Sequence, residues 1–322
     1  MPELISAPAV MAALVSAFVT ISLFIIKGIF TSLWSKYFLV YKIEVEHCHE
    51  QKKKIKEAIS KYKMPLLDSA ETLNHRLWNF SGNCTKGWHN IDANKILTDQ
   101  YYLQTFCYRY LAFYAWCLKF ERELIYLDVT LSDEKDLTFV KYIKTLQNIF
   151  CDASILNNTG YDNEHDVDHF FKDDHISMVE KMFSDTGGVI TYSEFKERNE
   201  VDYNKVCKYI SSIANDKSCN KWNIINCFHF ILMAFLSTFG YDYQKTAWIK
   251  LYKLRCSEPK NKLIKNLECL LENSKLENSK EIKKSLSVLK SRLLLSKIHG
   301  ILKRMLNWLM QKSTSLYTSL FQ

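Results

Sequence analysis

Glycine and proline are scarce in this 322-residue chain, which contains eight glycines and four prolines. Folds built from many short strands need these residues at their tight turns, so an all-β sandwich or barrel is disfavoured. The ten cysteines never form a C-x-x-C pair, which excludes a zinc ribbon and a thioredoxin-like redox motif. We therefore expect a mostly α-helical chain with little or no β structure.

The common catalytic and nucleotide-binding motifs are also missing. The chain has no P-loop, G-x-G-x-x-G, G-x-S-x-G or H-E-x-x-H sequence. Cys227 and His229 are two residues apart in a predicted helix, where their side chains diverge, so they cannot act as nucleophile and base. Enzymatic activity is not evident from the sequence.

One long stretch near the start of the chain lacks charge altogether. Residues 5–26 contain no Asp, Glu, Lys or Arg. A helix of this length crosses the apolar core of a bilayer, which is about 30 Å thick. A cleaved signal peptide is disfavoured because no basic residue precedes the run. We expect residues 1–27 to form a transmembrane helix; a buried core helix or a signal peptide is the alternative.

Lysines are concentrated directly after this run. Residues 27–63 carry nine lysines against four glutamates, and no Lys or Arg precedes residue 27. Because positively charged flanks stay on the cytoplasmic side, we expect a single-pass protein of the cell membrane. Its N-terminus would lie outside, and the bulk of the chain would form a cytoplasmic helical bundle.

A second basic segment spans residues 281–322, where Leu294, Ile298 and Ile301 belong to one apolar stripe of a predicted helix. Basic residues flank this stripe, a pattern typical of helices that lie in the membrane interface. We expect anionic lipid to contact residues 27–63 and 281–312. A helix docked on the domain is the alternative. A nucleic-acid partner is disfavoured because the basic charge is not spread over the folded body.

The periodicity of apolar residues indicates the order of the remaining segments. Pro65 is expected to end the helix that leaves the membrane. The aromatic stretch 96–127 is apolar on nearly all faces but contains charged residues, so we expect it to be the central helix of the domain. The predicted segments are a basic juxtamembrane stalk at 28–64, an α-helical domain at 65–272, a polar linker at 273–280 and an amphipathic helix at 281–322.

Residues 161–175 are rich in His and Asp, the side chains that bind metal ions. His165 and His169 are four residues apart and Asp173 follows one turn later, so a helix here would place all three on one face. A solvated acidic loop is the alternative. If the metal site exists, it favours a metal-dependent hydrolase; no other cofactor is expected.

Two arginines lie in apolar surroundings. Arg76 is on an otherwise apolar predicted helix, and Arg122 is followed by Glu123 near the end of the aromatic stretch. Such charges usually have a structural ion-pair partner. The functional alternative is an anion site formed by the two guanidinium groups.

Several short motifs resemble those of a group of uncharacterised, membrane-anchored bacterial helical proteins. They are PLLDSAETLNHRLWN (65–79), YAW (114–116), ERE (121–123), HISMVEKM (175–182) and ITYSEF (190–195). The resemblance covers about residues 65–200, although HISMVE stands where that group has Gln and Ile-Gly-Glu. It implies a membrane location and a helical build but no reaction. It also adds Glu180 to Arg76, Arg122 and Glu123 as candidate anion- or ligand-binding residues.

The sequence as a whole favours a membrane-tethered helical interaction or sensor module, such as a scaffold or a component of a defence or stress response. Its expected partners are the lipid bilayer and either another protein or a second copy of the chain. The alternatives are the metal-dependent hydrolase and an oligomeric effector that perturbs membranes.

Overall fold

The computed structural model describes residues 8–92, 100–161, 168–197, 203–216, 218–253 and 261–290, without the side chains of residues 252, 253 and 261. Helices predominate in these residues, and no strand occurs among them; one isolated antiparallel bridge joins Phe183 and Val189. The predicted mostly α-helical fold is therefore confirmed.

The helices are numbered here in chain order. They are α1 (Pro8–Asn83), α2 (Tyr101–Leu124), α3 (Glu134–Asn148), α4 (Lys172–Glu180), α5 (Tyr192–Glu197), α6 (Asn204–Ser211), α7 (Asn220–Phe239), α8 (Trp248–Lys253), α9 (Asn261–Asn273) and α10 (residues 280–290).

The chain divides into two compact units. One unit comprises the chain up to Lys56 together with Leu127–Ser132, and the other comprises Glu57–Tyr126 and the chain from Asp133 onward. In the first unit, α1 exposes large apolar side chains along its length, including Phe18, Phe24 and Phe30. The second unit contains the core.

Helix α7 lies at the centre of the second unit. Every side chain from Lys221 to Leu236 is buried. Phe228 packs against Phe113 of α2 with ring centroids 6.1 Å apart, and α3 and α9 also contact α7. The predicted aromatic helix α2 is likewise mostly buried, so two apolar helices share the core.

The prediction that Pro65 ends a helix is wrong, because α1 continues through it. A proline inside a helix removes one backbone hydrogen bond and costs about 3 kcal/mol. However, side chains on both sides of Pro65 are buried, among them Ile59, Leu66 and Leu67. Burying each such side chain stabilises the fold by about 1.5–3 kcal/mol, so packing outweighs the local cost.

The polar segment 273–280, predicted as a linker, is a close turn between α9 and α10. Lys275 adopts a left-handed backbone conformation with φ 52°. The N–H of Leu276 donates to the carbonyl oxygen of Leu271 at 2.9 Å, which is a common way to end a helix. The Leu276 side chain is buried, so this segment is part of the fold and does not separate two domains.

Helix α10 belongs to the second unit and packs against its core. Ile282, Val288 and Leu289 are buried, and the Ser285 hydroxyl donates to the carbonyl oxygen of Phe230 at 3.4 Å. The described start of the C-terminal segment is thus docked on the domain. The apolar stripe predicted to contact lipid, from residue 294 onward, lies outside the described residues.

Replacing Pro65 with alanine tests this account of α1. Pro65→Ala restores an N–H donor inside the helix but gives the unfolded chain more freedom, so we expect the free energy of unfolding to rise by about 1–2 kcal/mol. Chemical denaturation of the detergent-solubilised chain measures the change. Ser60→Ala, at an exposed position of the same helix, should change it by no more than about 0.5 kcal/mol. A lower stability of Pro65→Ala would contradict a continuous helix.

Candidate functional site

A cleft opens between α2, α3 and α4, with a volume of about 180 Å³. It is smaller than the roughly 300–1,000 Å³ of pockets for drug-sized ligands, which limits it to small molecules. Its lining residues are Tyr114, Leu118, Glu121, Lys144, Gln147, Asn148, Cys151, Lys172, His175, Ile176 and Val179.

Local packing fixes the position of α4 beside α2. The backbone N–H of Phe170 donates to the carbonyl oxygen of Phe150 at 2.8 Å, which ties the start of α4 to the chain after α3. On α4, His175, Met178 and Val179 follow the spacing of one helical face, and all three are buried. This face brings His175 into the cleft.

His175 is a neutral group held by aromatic rings. Its Nε2 lies 3.0 Å from the Tyr110 hydroxyl, and its ring stacks on Phe170 with centroids 5.3 Å apart. The Tyr114 ring packs edge to face with the His175 ring, with ring centroids 4.7 Å apart. Burial lowers the pKa of His175 to about 4, so the imidazole is neutral at pH 7. It can therefore donate one hydrogen bond and accept one.

The other polar groups of the cleft are not arranged for nucleophilic catalysis. Burial raises the pKa of the Cys151 thiol to about 12, so the thiolate needed for attack is not formed at neutral pH. The Tyr114 hydroxyl donates to the carbonyl oxygen of Leu146 at 2.7 Å, and burial raises its pKa well above the usual value. These groups suit binding better than bond breaking.

Positive charge exceeds negative charge around the cleft. Lys144 and Lys172 are exposed at its rim, and neither forms an ion pair with any residue in the described parts of the chain. The carboxylate of Glu121 accepts a hydrogen bond from Nε2 of Gln147 at 3.1 Å. The cleft therefore offers two cationic groups to a ligand, while its carboxylate is already engaged.

No protein family, curated protein or solved structure matches the chain. What the chain does must therefore be inferred from its own residues.

The acidic and basic residues that the sequence singled out near the end of α2 have structural partners. Arg122 forms an ion pair with Glu180 of α4. Glu123 accepts hydrogen bonds from Nζ of Lys61 at 3.0 Å and from the Tyr62 hydroxyl at 3.1 Å. The Lys61 ammonium lowers the pKa of Glu123. Arg122, Glu123 and Glu180 thus join helices to one another.

Arg76 lies near the opposite end of α2. Its Nη2 donates to the Thr105 hydroxyl at 2.6 Å. Thr105 precedes Arg122 by 17 residues on the same helix, a distance of about 25 Å along the axis. The single anion site that would combine Arg76 with Arg122 is therefore not formed.

The predicted metal ligands are only partly described. His165 lies outside the described residues, and His169 precedes α4, so His169 and Asp173 do not share the helical face that the prediction required. The Tyr161 hydroxyl is 2.8 Å from Nδ1 of His169. Within the described ranges no three His, Cys, Asp or Glu side chains form a metal-binding group. The metal site stays a prediction.

Sequence reasoning missed the cleft and its residues. Lys144 and Lys172 are separated by 28 residues and carry no motif, and His175 was noticed only as a member of an acidic segment and of the HISMVEKM motif. The helical spacing of His175, Met178 and Val179 is the one sequence signal that could have indicated that the imidazole lies on a buried face.

The neutral histidines predict how stability depends on pH. Burial lowers the pKa of His175 to about 4 and that of His229 to about 3, whereas histidine in an unfolded chain titrates near 6.5. As the pH falls, these histidines are protonated at a higher pH in the unfolded chain than in the folded chain. The free energy of unfolding should therefore fall as pH drops from about 6.5 to 4. Each histidine contributes roughly 1 kcal/mol per pH unit.

Replacing His175 with phenylalanine should make this pH dependence shallower by the contribution of one histidine. Urea denaturation between pH 7 and pH 4 gives the slope. The matched control is Ser177→Ala, an exposed position of the same helix whose replacement removes no ionisable group and should leave the slope unchanged. An unaltered slope in His175→Phe would show that His175 is not buried as a neutral group.

Proposed function

We propose that this chain is a single-pass, membrane-tethered helical module that binds a small anionic ligand in the cleft between α2, α3 and α4. The N-terminal part of α1 is the tether, and the second unit is the binding domain. The observation that carries the tether is the difference in burial between two apolar helices, since the apolar part of α1 is exposed and α7 is buried. The cleft supplies the ligand site.

Two helices in the described chain are long and apolar enough to cross a membrane, judged by length and composition. The most apolar window of α1 is 0% buried, whereas the corresponding window of α7 is 89% buried. A core helix passes the same test of composition, and the burial of α7 identifies it as one. The described residues do not cover the apolar side chains in the N-terminal part of α1, and lipid would remove them from water.

The charges that follow the tether support a cytoplasmic position for the second unit. Residues 27–63 carry nine lysines against four glutamates. In this arrangement the lysines stay on the cytoplasmic side, close to anionic headgroups, and the N-terminus lies outside. Trp34 and Tyr37 are exposed on α1 directly after the apolar run, where aromatic residues contact the membrane interface.

The cleft supports a ligand that is small and negatively charged. Its volume of about 180 Å³ accommodates a small organic acid but not a peptide helix. Lys144 and Lys172 supply charge, and His175 and Asn148 supply neutral hydrogen-bonding groups. Because burial keeps the Cys151 thiol protonated, it is a poor nucleophile, and we assign the cleft to binding.

Charged substitutions in the tether test the membrane part of the proposal. Leu14, Phe18 and Ile21 are exposed on α1. Each lysine placed in the middle of a spanning helix costs about 2.5–3.5 kcal/mol, so the triple lysine variant should no longer float with liposomes in a density gradient. The triple alanine variant is the control and should still float. Equal flotation of both variants would contradict a spanning α1.

Removing the two cleft lysines tests the ligand site. Small dicarboxylates such as succinate and malate should raise the melting temperature of the detergent-solubilised chain through binding to the native state. The Lys144→Gln, Lys172→Gln double variant should lose at least tenfold in affinity.

Lys141→Gln is the control for this experiment, because Lys141 lies on the same helix but does not line the cleft. It should respond to the dicarboxylates as the wild type does. A melting temperature that no dicarboxylate raises, or that rises equally in the double variant, would contradict the assignment.

A further inference from the structure

Arg76 is a buried cation that has no carboxylate partner among the described residues. Its side chain is 7% exposed, and the guanidinium carbon lies 4.3 Å from the centre of the Tyr102 ring. Nη2 donates to the Thr105 hydroxyl, but the buried Nε–H has no acceptor among the residues described. A guanidinium removed from water in this way normally forms an ion pair, because an uncompensated buried charge is costly.

A second arginine increases the positive charge at this place. Arg109, one turn after Thr105 on α2, is half-buried, and its Nη1 donates to the carbonyl oxygen of Thr72 at 3.4 Å. Burial lowers the pKa of Arg109, and the charge of Arg76 lowers it further. Across the described ranges neither guanidinium forms an ion pair with an Asp or Glu side chain.

The two arginines differ in this respect from Arg122, which has Glu180 as its partner. Guanidinium groups bind phosphate and carboxylate oxygens through short, charge-assisted hydrogen bonds. We propose that Arg76 and Arg109 form a binding site for a small oxyanion of the phosphate class, located between α1 and α2. The anion would accept a hydrogen bond from the unused Nε–H of Arg76. Its negative charge would also offset the repulsion between the two guanidinium groups.

Neighbouring tyrosines hold the site in place. The Tyr102 hydroxyl donates to Oδ1 of Asn79 at 2.9 Å, so the ring that covers Arg76 is fixed by α1. The Tyr192 hydroxyl donates to Oε1 of Gln104 at 2.9 Å, which anchors α5 beside the same face of α2. With its ring contact and its bond to Thr105, Arg76 is oriented before any ligand arrives, which lowers the entropic cost of binding.

Inorganic phosphate is the probe for this site. The melting temperature of the full-length, detergent-solubilised chain is measured in sodium phosphate and in sodium chloride at equal ionic strength and pH 7. The wild-type melting temperature should rise with phosphate concentration beyond its value in chloride, because a ligand of the native state stabilises it.

Arg109→Gln removes one charge of the pair. In chloride its melting temperature should equal or exceed that of the wild type, since repulsion of Arg76 is relieved. The phosphate-dependent rise should lose the whole of the part that does not depend on the cleft lysines Lys144 and Lys172. Arg109→Lys keeps the charge but not the planar guanidinium, and it should retain part of the rise.

Two controls separate this site from other charges. Arg122→Gln removes an exposed arginine of the same helix and should keep the full rise in phosphate. Each measurement is repeated in a Lys144→Gln, Lys172→Gln background, where the cleft no longer contributes, and the rise that remains there should disappear with Arg109→Gln. Three results would overturn the proposal. They are a wild type that does not respond to phosphate, an Arg109→Gln variant that responds fully, and an Arg109→Gln variant that is equally destabilised in both salts, which would make Arg109 a structural contact only.

Discussion

The burial of α7 is the constraint on which the second unit depends. This helix is apolar on nearly every face, so it is stable in water only if other helices cover it on all sides. Phe113 of α2, Asn74 of α1 and Ser285 of α10 all contact it. The apolar part of α1 is also unstable in water if it stays exposed, and the described protein does not cover it. We therefore assign α7 to the protein core and the apolar part of α1 to lipid.

The packing of other helices around α7 also determines whether the polar side chains nearby are charged or neutral. Nε2 of His229 on α7 lies 2.9 Å from Oδ1 of Asn74, and His175 is enclosed by the rings of α2 and of Phe170, which precedes α4. Burial lowers the pKa of both imidazoles and keeps them neutral at pH 7. The cleft lysines Lys144 and Lys172 stay at the rim, where water solvates them. Arg76 is a buried charge whose compensation the described protein does not supply, and this makes it a better candidate for ligand contact than the exposed, paired Arg122.

Much of the helical architecture follows from local sequence, but the sites do not. Apolar periodicity and scarce glycine predicted the helical class, and the charge content of 96–127 correctly placed α2 in the core. The errors concern features decided by distant contacts: Pro65 stays inside a helix because the core packs on both sides of it, and 273–280 is a packed turn because Leu276 is buried. Arg76 donates a hydrogen bond to Thr105, 29 residues away, and is repelled by Arg109, 33 residues away; helical spacing predicts neither neighbour.

The central claim is that lipid covers the apolar part of α1, whereas protein covers α7. It is tested most directly by reconstituting the chain into vesicles that contain a photoactivatable lipid and mapping the labelled peptides by mass spectrometry. We expect label within residues 8–30 and none within Asn220–Phe239. Label on Asn220–Phe239, or its absence from residues 8–30, would contradict the account.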